Sequence, residues 1–485
     1  MKKYIWTIRL VLWSILGVVL FFILYQGIVP FGKITYVYDF HKPSRFISKL
    51  GPKDRLGEFL ENGIQMMIGD PVYFSLRVPR RFDTAKLKLE YKKSSNSEHL
   101  PIIQAGVLAD NLAWRYDLRP IDNEIINDLI NHKWDVIREG DLILLQKEKN
   151  FLEINDFLKK LKKHEINQNQ VALYNTEVDY EFLLAGYQPR EHEEVVSVGL
   201  RGGFEFYTYI RDEELRFNFS FVDLNQNDDV DAIDVLLYYE DAIIESRHLE
   251  DAPGDTLREL NLALANLPEG VYKIAVRAND DIVTREIRTL QSKLSFRDRI
   301  KLAHGLAQDI RLYSNACALY FKTIYPENLG NIEINKEEDL QITETYSQFK
   351  YKTSCASSTE IRLPRDGFII ASDGAISFGR DALLDPRFRR VDANFSAEDF
   401  NYVLARYSPP VEHDGWKMAE LDFDLRKAYM EDRKYGFIIS VPGMRAREGR
   451  DDFVEIRNIE MELVGRSLWE KIFEGVDLFM IMKHN

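Results

Sequence analysis

The chain has 485 residues, and that length predicts about three domains. With 45% hydrophobic residues it can build full cores, which excludes general disorder. A formal net charge of −14 excludes bulk attraction to nucleic-acid phosphates or anionic lipid, while a body this acidic tolerates divalent cations.

Residues 1–9 contain Lys2, Lys3 and Arg9 and no acid, so they carry +3 and the remainder −17 (−14 less +3). Residues 10–31, LVLWSILGVVLFFILYQGIVPF, hold no charge and one amide, Gln26. A helix of that length at ~1.5 Å per residue reaches ~33 Å, enough for a hydrocarbon core of ~30 Å. Trp13 and Tyr25 stand towards the two ends, where amphipathic rings favour headgroups. The exit offers Gly27 with Tyr25 before it, a poor cleavage site for a signal peptide. Residues 10–31 are therefore expected to be a transmembrane signal anchor. The expected protein is single-pass in the cell membrane, with residues 1–9 cytoplasmic and the body extracytoplasmic.

Residues 32–190 are expected to form a β-rich domain. Val72, Phe74 and Leu76 alternate, as do Leu87, Leu89 and Tyr91, which is the period of half-buried strands. Ile154, Phe157, Leu158 and Leu161 follow helical spacing, with lysines crowding the end where the helix dipole favours cations. This is a helical insertion.

Residues 195–295 carry the clearest strand pattern. Phe204 and Phe206, then Phe217, Phe219 and Phe221, then Val235, Leu237 and Tyr239 alternate. In LNLALANLPEGVYKIAVRA, Pro268 and Gly270 turn the chain before Tyr272, Ile274 and Val276 run inward. This stretch resembles the tyrosine corner of immunoglobulin-like and fibronectin type III sandwiches, with Tyr272 at the corner. The resemblance implies a fold and no chemistry.

Within that region lies DLNQNDDVDAID. Asp223, Asn225, Asn227, Asp229, Asp231 and Asp234 fall at positions 1, 3, 5, 7, 9 and 12. The loop resembles the calcium loops of EF-hands and dockerin modules, where such spacing wraps hard oxygens around Ca²⁺. It departs from them at position 6, Asp228 in place of glycine, and its flanks read as strands. A solvated acidic hairpin is the other reading.

Residues 296–312 read as a connector and residues 313–468 as a sandwich resembling a jelly roll of the kind seen in carbohydrate-binding modules. Its closing strand, VEIRNIEMELVG, has a one-residue phase slip that predicts a bulge. Earlier in it, Glu420, Asp422 and Asp424 share one face of a strand. Their spacing resembles the ExDxE signature of laminarinase- and lichenase-type glycosidases. That resemblance implies Glu420 as nucleophile, Asp422 as helper and Asp424 as acid, although Asp424 is one methylene short. The polar face of an edge strand is the other reading. The tail, residues 469–485, contains Glu470, Lys471, Glu474 and Asp477 and is expected to be a packing element or partner contact, not a second span.

Cys317 and Cys355 are the two cysteines. They form one disulfide in an exported protein or remain two thiols, and they exclude cysteine-rich zinc sites. No GxGxxG, GxxxxGK[ST] or GxSxG occurs, so nucleotide and serine-hydrolase chemistry have no footing.

The expected fold is mainly β: an N-terminal transmembrane helix, then about three β-sandwich domains, immunoglobulin-like and jelly-roll-like, with a few helical insertions. Taken whole, with DPVYFSLRVPRRFD, ANDDIVTREIRT and WRYDLRP, the chain is similar to bacterial surface proteins with one anchor and several sandwiches. The similarity implies no activity. The expected function is an extracytoplasmic binding or scaffolding protein of the envelope, carbohydrate-binding or adhesive. Its expected partners are the membrane through residues 10–31 and an envelope glycan or surface protein. An exported glycoside hydrolase is the alternative.

Overall fold

The computed structural model describes residues 2–28, 33–60, 63–79, 81–94, 100–111, 114–132, 134–224, 231–240, 242–250, 257–336, 338–354, 357–445 and 452–465. The protein is mainly β, with helices α1 (Lys2–Ile28), α2 (Glu124–His132) and α3 (Ile154–Lys162).

The transmembrane anchor expected at residues 10–31 is corrected. Among the described residues, no helix is long and apolar enough to cross a membrane. The tail at 469–485 lies outside the described residues.

The chain folds as two compact units, residues 1–133 with 407–485 and residues 134–406. These differ from the three consecutive regions read from the sequence. Val454–Val464, expected to close a third sandwich, instead pairs antiparallel with Thr84–Lys93 and Lys33–Tyr38. The bulge predicted in it falls between Ile456 and Asn458.

In the first unit, one sheet runs Leu56–Leu60, Ile64–Met67, Val454–Val464, Thr84–Lys93, Trp416–Asp424, Val411–His413. A second runs Met430–Glu431, Lys434–Ser440, Ile102–Asp110, Arg115–Asn123, with Val72–Arg77 also on Lys434–Ser440. Alternation sends Ala85, Leu87, Leu89 and Tyr91 into one core with Phe74 and Phe437, whose rings stack at 5.2 Å.

In the second unit, Ile154, Phe157 and Leu161 of α3 pack on a five-stranded mixed sheet that includes Val171–Tyr174 and Tyr402–Arg406. The remainder is a sandwich. One sheet runs Glu194–Val196, Ile282–Thr289, Leu215–Asp223, Arg258–Leu264. The other begins Ala242–Leu249, Ile233–Tyr239, Gly270–Arg277, Phe204–Ile210, and continues through Ser295–Lys301, Phe368–Ser377 and Gln308–Ser314 to Glu338–Ile342. The expected connector at 296–312 thus supplies two strands of this sheet. Its Phe296, Ile300, Ile310 and Leu312 are buried, so the segment is amphipathic at strand spacing. The strands from 308 to 377 extend the sheet formed by strands within residues 204–277 and do not close a separate jelly roll with residues up to 468.

The predicted corner is present. The Tyr272 hydroxyl donates to the Pro268 carbonyl oxygen at 2.7 Å, and the ring is fully buried against Tyr239 at 4.9 Å. Tyr272→Phe removes that bond. It is expected to lower stability by about 1 kcal/mol, read as an earlier urea midpoint at unchanged m-value.

Candidate functional site

Glu420, Asp422 and Asp424 share one face of Trp416–Asp424, while Ala419 and Phe423 turn to the core. Thr84–Lys93 pairs with the strand from Lys417 to Asp424 on one side, while Val411–His413 pairs only with Trp416–Met418 on the other. The Glu420 carboxylate is 3.4 Å from the ammonium groups of both Lys86 and Lys88, and Lys88 also reaches Glu460 at 3.6 Å. Asp422 stands opposite Lys86 in register. Asp424 accepts from Arg426 Nε at 2.7 Å and Nη2 at 2.8 Å. Partial burial is the largest single influence on Glu420 and pushes its pKa up, but the charges and hydrogen bonds of Lys88 and Lys86 together bring it below the usual value. The hydrogen bond from Arg426 likewise lowers Asp424, against a smaller effect of burial. A retaining glycosidase needs one carboxyl raised so that it can donate a proton. The cations beside Glu420 and Asp424 lower both, the direction opposite to that a proton-donating carboxyl needs.

The sign of the pH dependence at this face follows. Carboxylates with lowered folded-state pKa values add stability above their unfolded values, and that stability is lost as pH falls through the folded values. The melting temperature is expected to fall more steeply between about pH 5 and 3 in the parent than in Glu420→Gln/Asp424→Asn, measured by circular dichroism. The difference is small, because exposed pairs contribute little.

The acidic loop resolves into two environments. Asn225, Asn227 and Asp229 lie outside the described residues. Asp234 sits on the outer face of Ile233–Tyr239, with an oxygen 2.7 Å from His248 Nδ1. Asp223 and Asp231, by contrast, are buried and meet Asp281, with one carboxylate oxygen from each lying within 4.8 Å of the others. Asp281 carries no signal in the loop's own spacing. Register brings it there: Asp223 pairs with Ile282 as Leu215–Asp223 runs beside Ile282–Thr289, and the Leu224 amide donates to the Asp281 carbonyl at 3.0 Å. Asn279, from the same turn, donates to Asp231 Oδ1 at 2.9 Å.

A groove of about 790 Å³ lies elsewhere on the same unit. Its floor is a cross-strand row: Tyr207 pairs with Lys273, and Lys273 with Tyr238. The Lys273 ammonium stands 4.2 Å from the Tyr238 ring centroid. Tyr239, Tyr180 and Phe182 add further half-buried rings, and Asp179, Glu181, Glu240 and Glu269 bring carboxylates. Lys162 pairs with Asp179 at the groove. Glu269 accepts from the Tyr209 hydroxyl at 2.7 Å and Arg211 Nε at 2.6 Å, bonds that hold its pKa low. The sequence signal here is the outward-facing half of each strand, tyrosine and lysine where solvent-facing residues are ordinarily charged or small. Sequence reasoning attended to the inward half.

Cys317 is disulfide-bonded. Cys355, the chain's other cysteine, lies outside the described residues.

No protein-family profile and no curated sequence matches the chain. Among solved structures, dimeric latent PorU from Porphyromonas gingivalis is similar at 11% identity and TM-score 0.17, over 63% of this chain and 34% of that one. The VP2 protein of infectious bursal disease virus is similar at 11% identity and TM-score 0.15, over 90% and 77%. The CBM22-1–CBM22-2 tandem domain of Xyn10C from Paenibacillus barcinonensis is similar at 7% identity and TM-score 0.14, over 57% and 93%. At these scores the likenesses carry no argument about function.

Proposed function

We propose that the chain is an extracytoplasmic binding or scaffolding protein that takes a neutral glycan in the groove floored by Tyr207, Lys273 and Tyr238. The carrying observation is the grouping of five aromatic side chains with carboxylates and two ammonium groups around one open groove of about 790 Å³. Aromatic faces pack against the C–H faces of sugar rings, and fixed carboxylates and ammonium groups bond their hydroxyls. Four carboxylates against Lys162 and Lys273 make the groove acidic, which favours a neutral over an acidic polymer. The disulfide at Cys317 supports an oxidising compartment, where envelope glycans and surface proteins are the available partners. A glycoside hydrolase built on Glu420, Asp422 and Asp424 gains no support, because the cations beside the outer two carboxylates lower their pKa values.

Affinity electrophoresis of the purified chain in gels containing β-glucan, xylan or polygalacturonate tests this. Retardation is expected in a neutral polymer and not in polygalacturonate. Tyr238→Ala is expected to weaken it roughly tenfold or more at unchanged melting temperature, the loss of one desolvated aromatic contact. Migration unaffected by every neutral polymer, or retardation equal in Tyr238→Ala, would count against the reading.

A further inference from the structure

We propose that Asp223, Asp231 and Asp281 form a calcium site that ties together one end of the sandwich in residues 134–406.

The burial of these carboxylates is forced by strand alternation. In Leu215–Asp223 the inward row is Phe217, Phe219 and Phe221, and Asp223 is its next member, 1% exposed. Asp231 stands on the same alternation as Ile233, Val235 and Leu237 and is also 1% exposed. Both rows therefore end in a carboxylate pointing where the previous residues point, into the space between the sheets. Asp281 enters from the turn that leads into Ile282–Thr289.

The independent observation is the state of Asp281. It is 3% exposed, and neither carboxylate oxygen accepts a hydrogen bond among the described residues. A buried carboxylate without a partner is costly, and three together repel one another. Among the described residues, neither Asp231 nor Asp281 has an ion pair with a cationic side chain. The Arg258 guanidinium donates Nη1 to the backbone carbonyls of Asp231 at 3.4 Å and Glu250 at 3.2 Å. Asn279 supplies one neutral donor to Asp231.

A single cation supplies what is missing. Ligands about 2.4 Å from a common ion stand at most ~4.8 Å apart, the calcium case, and the three oxygens meet that bound. The donors are all carboxylate oxygens, with no thiol or imidazole among them, which favours a hard ion over zinc or copper. Magnesium demands a near-ideal octahedron at ~2.1 Å and gives up its waters reluctantly, whereas calcium accepts irregular oxygen sets, which favours calcium at a buried cluster of three carboxylates.

The charge balance gives the site a distinctive behaviour without the ion. Three buried carboxylates with oxygens within 4.8 Å of one another repel when ionised, and burial keeps water from screening them. At neutral pH the metal-free cluster thus opposes folding, and an amide at 281 relieves it.

The test uses the full chain, stripped with EDTA, with calcium stoichiometry by isothermal titration and melting by calorimetry. One calcium per chain is expected, with a rise of about 5 °C in the transition at saturating ion. Asp281→Asn is expected to lose that rise and bind calcium at least roughly thirtyfold more weakly, while in EDTA it melts at or above the parent. Asp223→Asn must lose calcium likewise, which keeps the test decisive if the first variant does not fold. Asp234→Asn is expected to bind as the parent does. No calcium bound by the parent, full binding by both cluster variants, or loss of binding in Asp234→Asn alone would overturn the site. An equal rise with magnesium would overturn its assignment to calcium.

Discussion

Two-residue alternation against a closed, aromatic interior is the constraint from which the rest of the second unit follows. Phe206 lies 5.3 Å from Phe217 and 5.7 Å from Phe296, and Phe217, Phe219 and Phe221 stack along one strand at 6.0 and 5.9 Å. Each ring fully removed from water contributes about 2 kcal/mol, so a one-residue slip of Leu215–Asp223 would turn the whole row into solvent. Register is therefore fixed with great force along the row. A residue at its end takes the orientation the row dictates, whatever its own preference for water. Asp223 is buried for that reason.

The same residue type shows how environment alone divides a solvated face from a site. Glu420 has two ammonium groups beside it and remains partly open to water, so its charge is offset locally. Asp281 is almost fully buried, among the described residues it has no ion pair with a cationic side chain, and two further carboxylates approach it. What separates them is the neighbouring strand: Thr84–Lys93 presents lysines to the first, and the strand next to Asp223 presents Ile282 with Asp281 at its head.

What was legible in the sequence was whatever is decided within a dozen residues. The inward rows, α3, the bulge after Ile456 and the corner made by Pro268, Gly270 and Tyr272 all rest on local alternation or turn chemistry, and all are present. Pairing between distant strands left no local trace. Val454–Val464 and Thr84–Lys93 are hundreds of residues apart, and nothing in either marks the other as its neighbour. The division into three consecutive regions failed at that point, since proximity in sequence stood in for proximity in space. The same gap hid Asp281 from the loop at 223–234 and misread 296–312 as a connector. The reading of residues 10–31 as a membrane span rested on hydropathy over the whole segment, and among the described residues no helix is long and apolar enough to cross a membrane.

The acidic cluster and the aromatic groove sit at opposite ends of one strand. Asp231 stands two residues before Ile233, where Ile233–Tyr239 begins, and Tyr238 and Tyr239 close that strand. Seven residues of strand at ~3.3 Å each separate Asp231 from Tyr238 by about 23 Å. An ion at the first position cannot touch a ligand at the second, so a direct bridge of the kind in which a metal coordinates sugar hydroxyls is excluded by distance. Any influence between them must pass through the pairing of Ile233–Tyr239 with Gly270–Arg277, which carries Lys273 between the tyrosines and is followed directly by the turn holding Asn279 and Asp281. Both flanks of the cluster thus belong to the two strands that floor the groove. The cluster is placed to hold their register and not to meet what they bind.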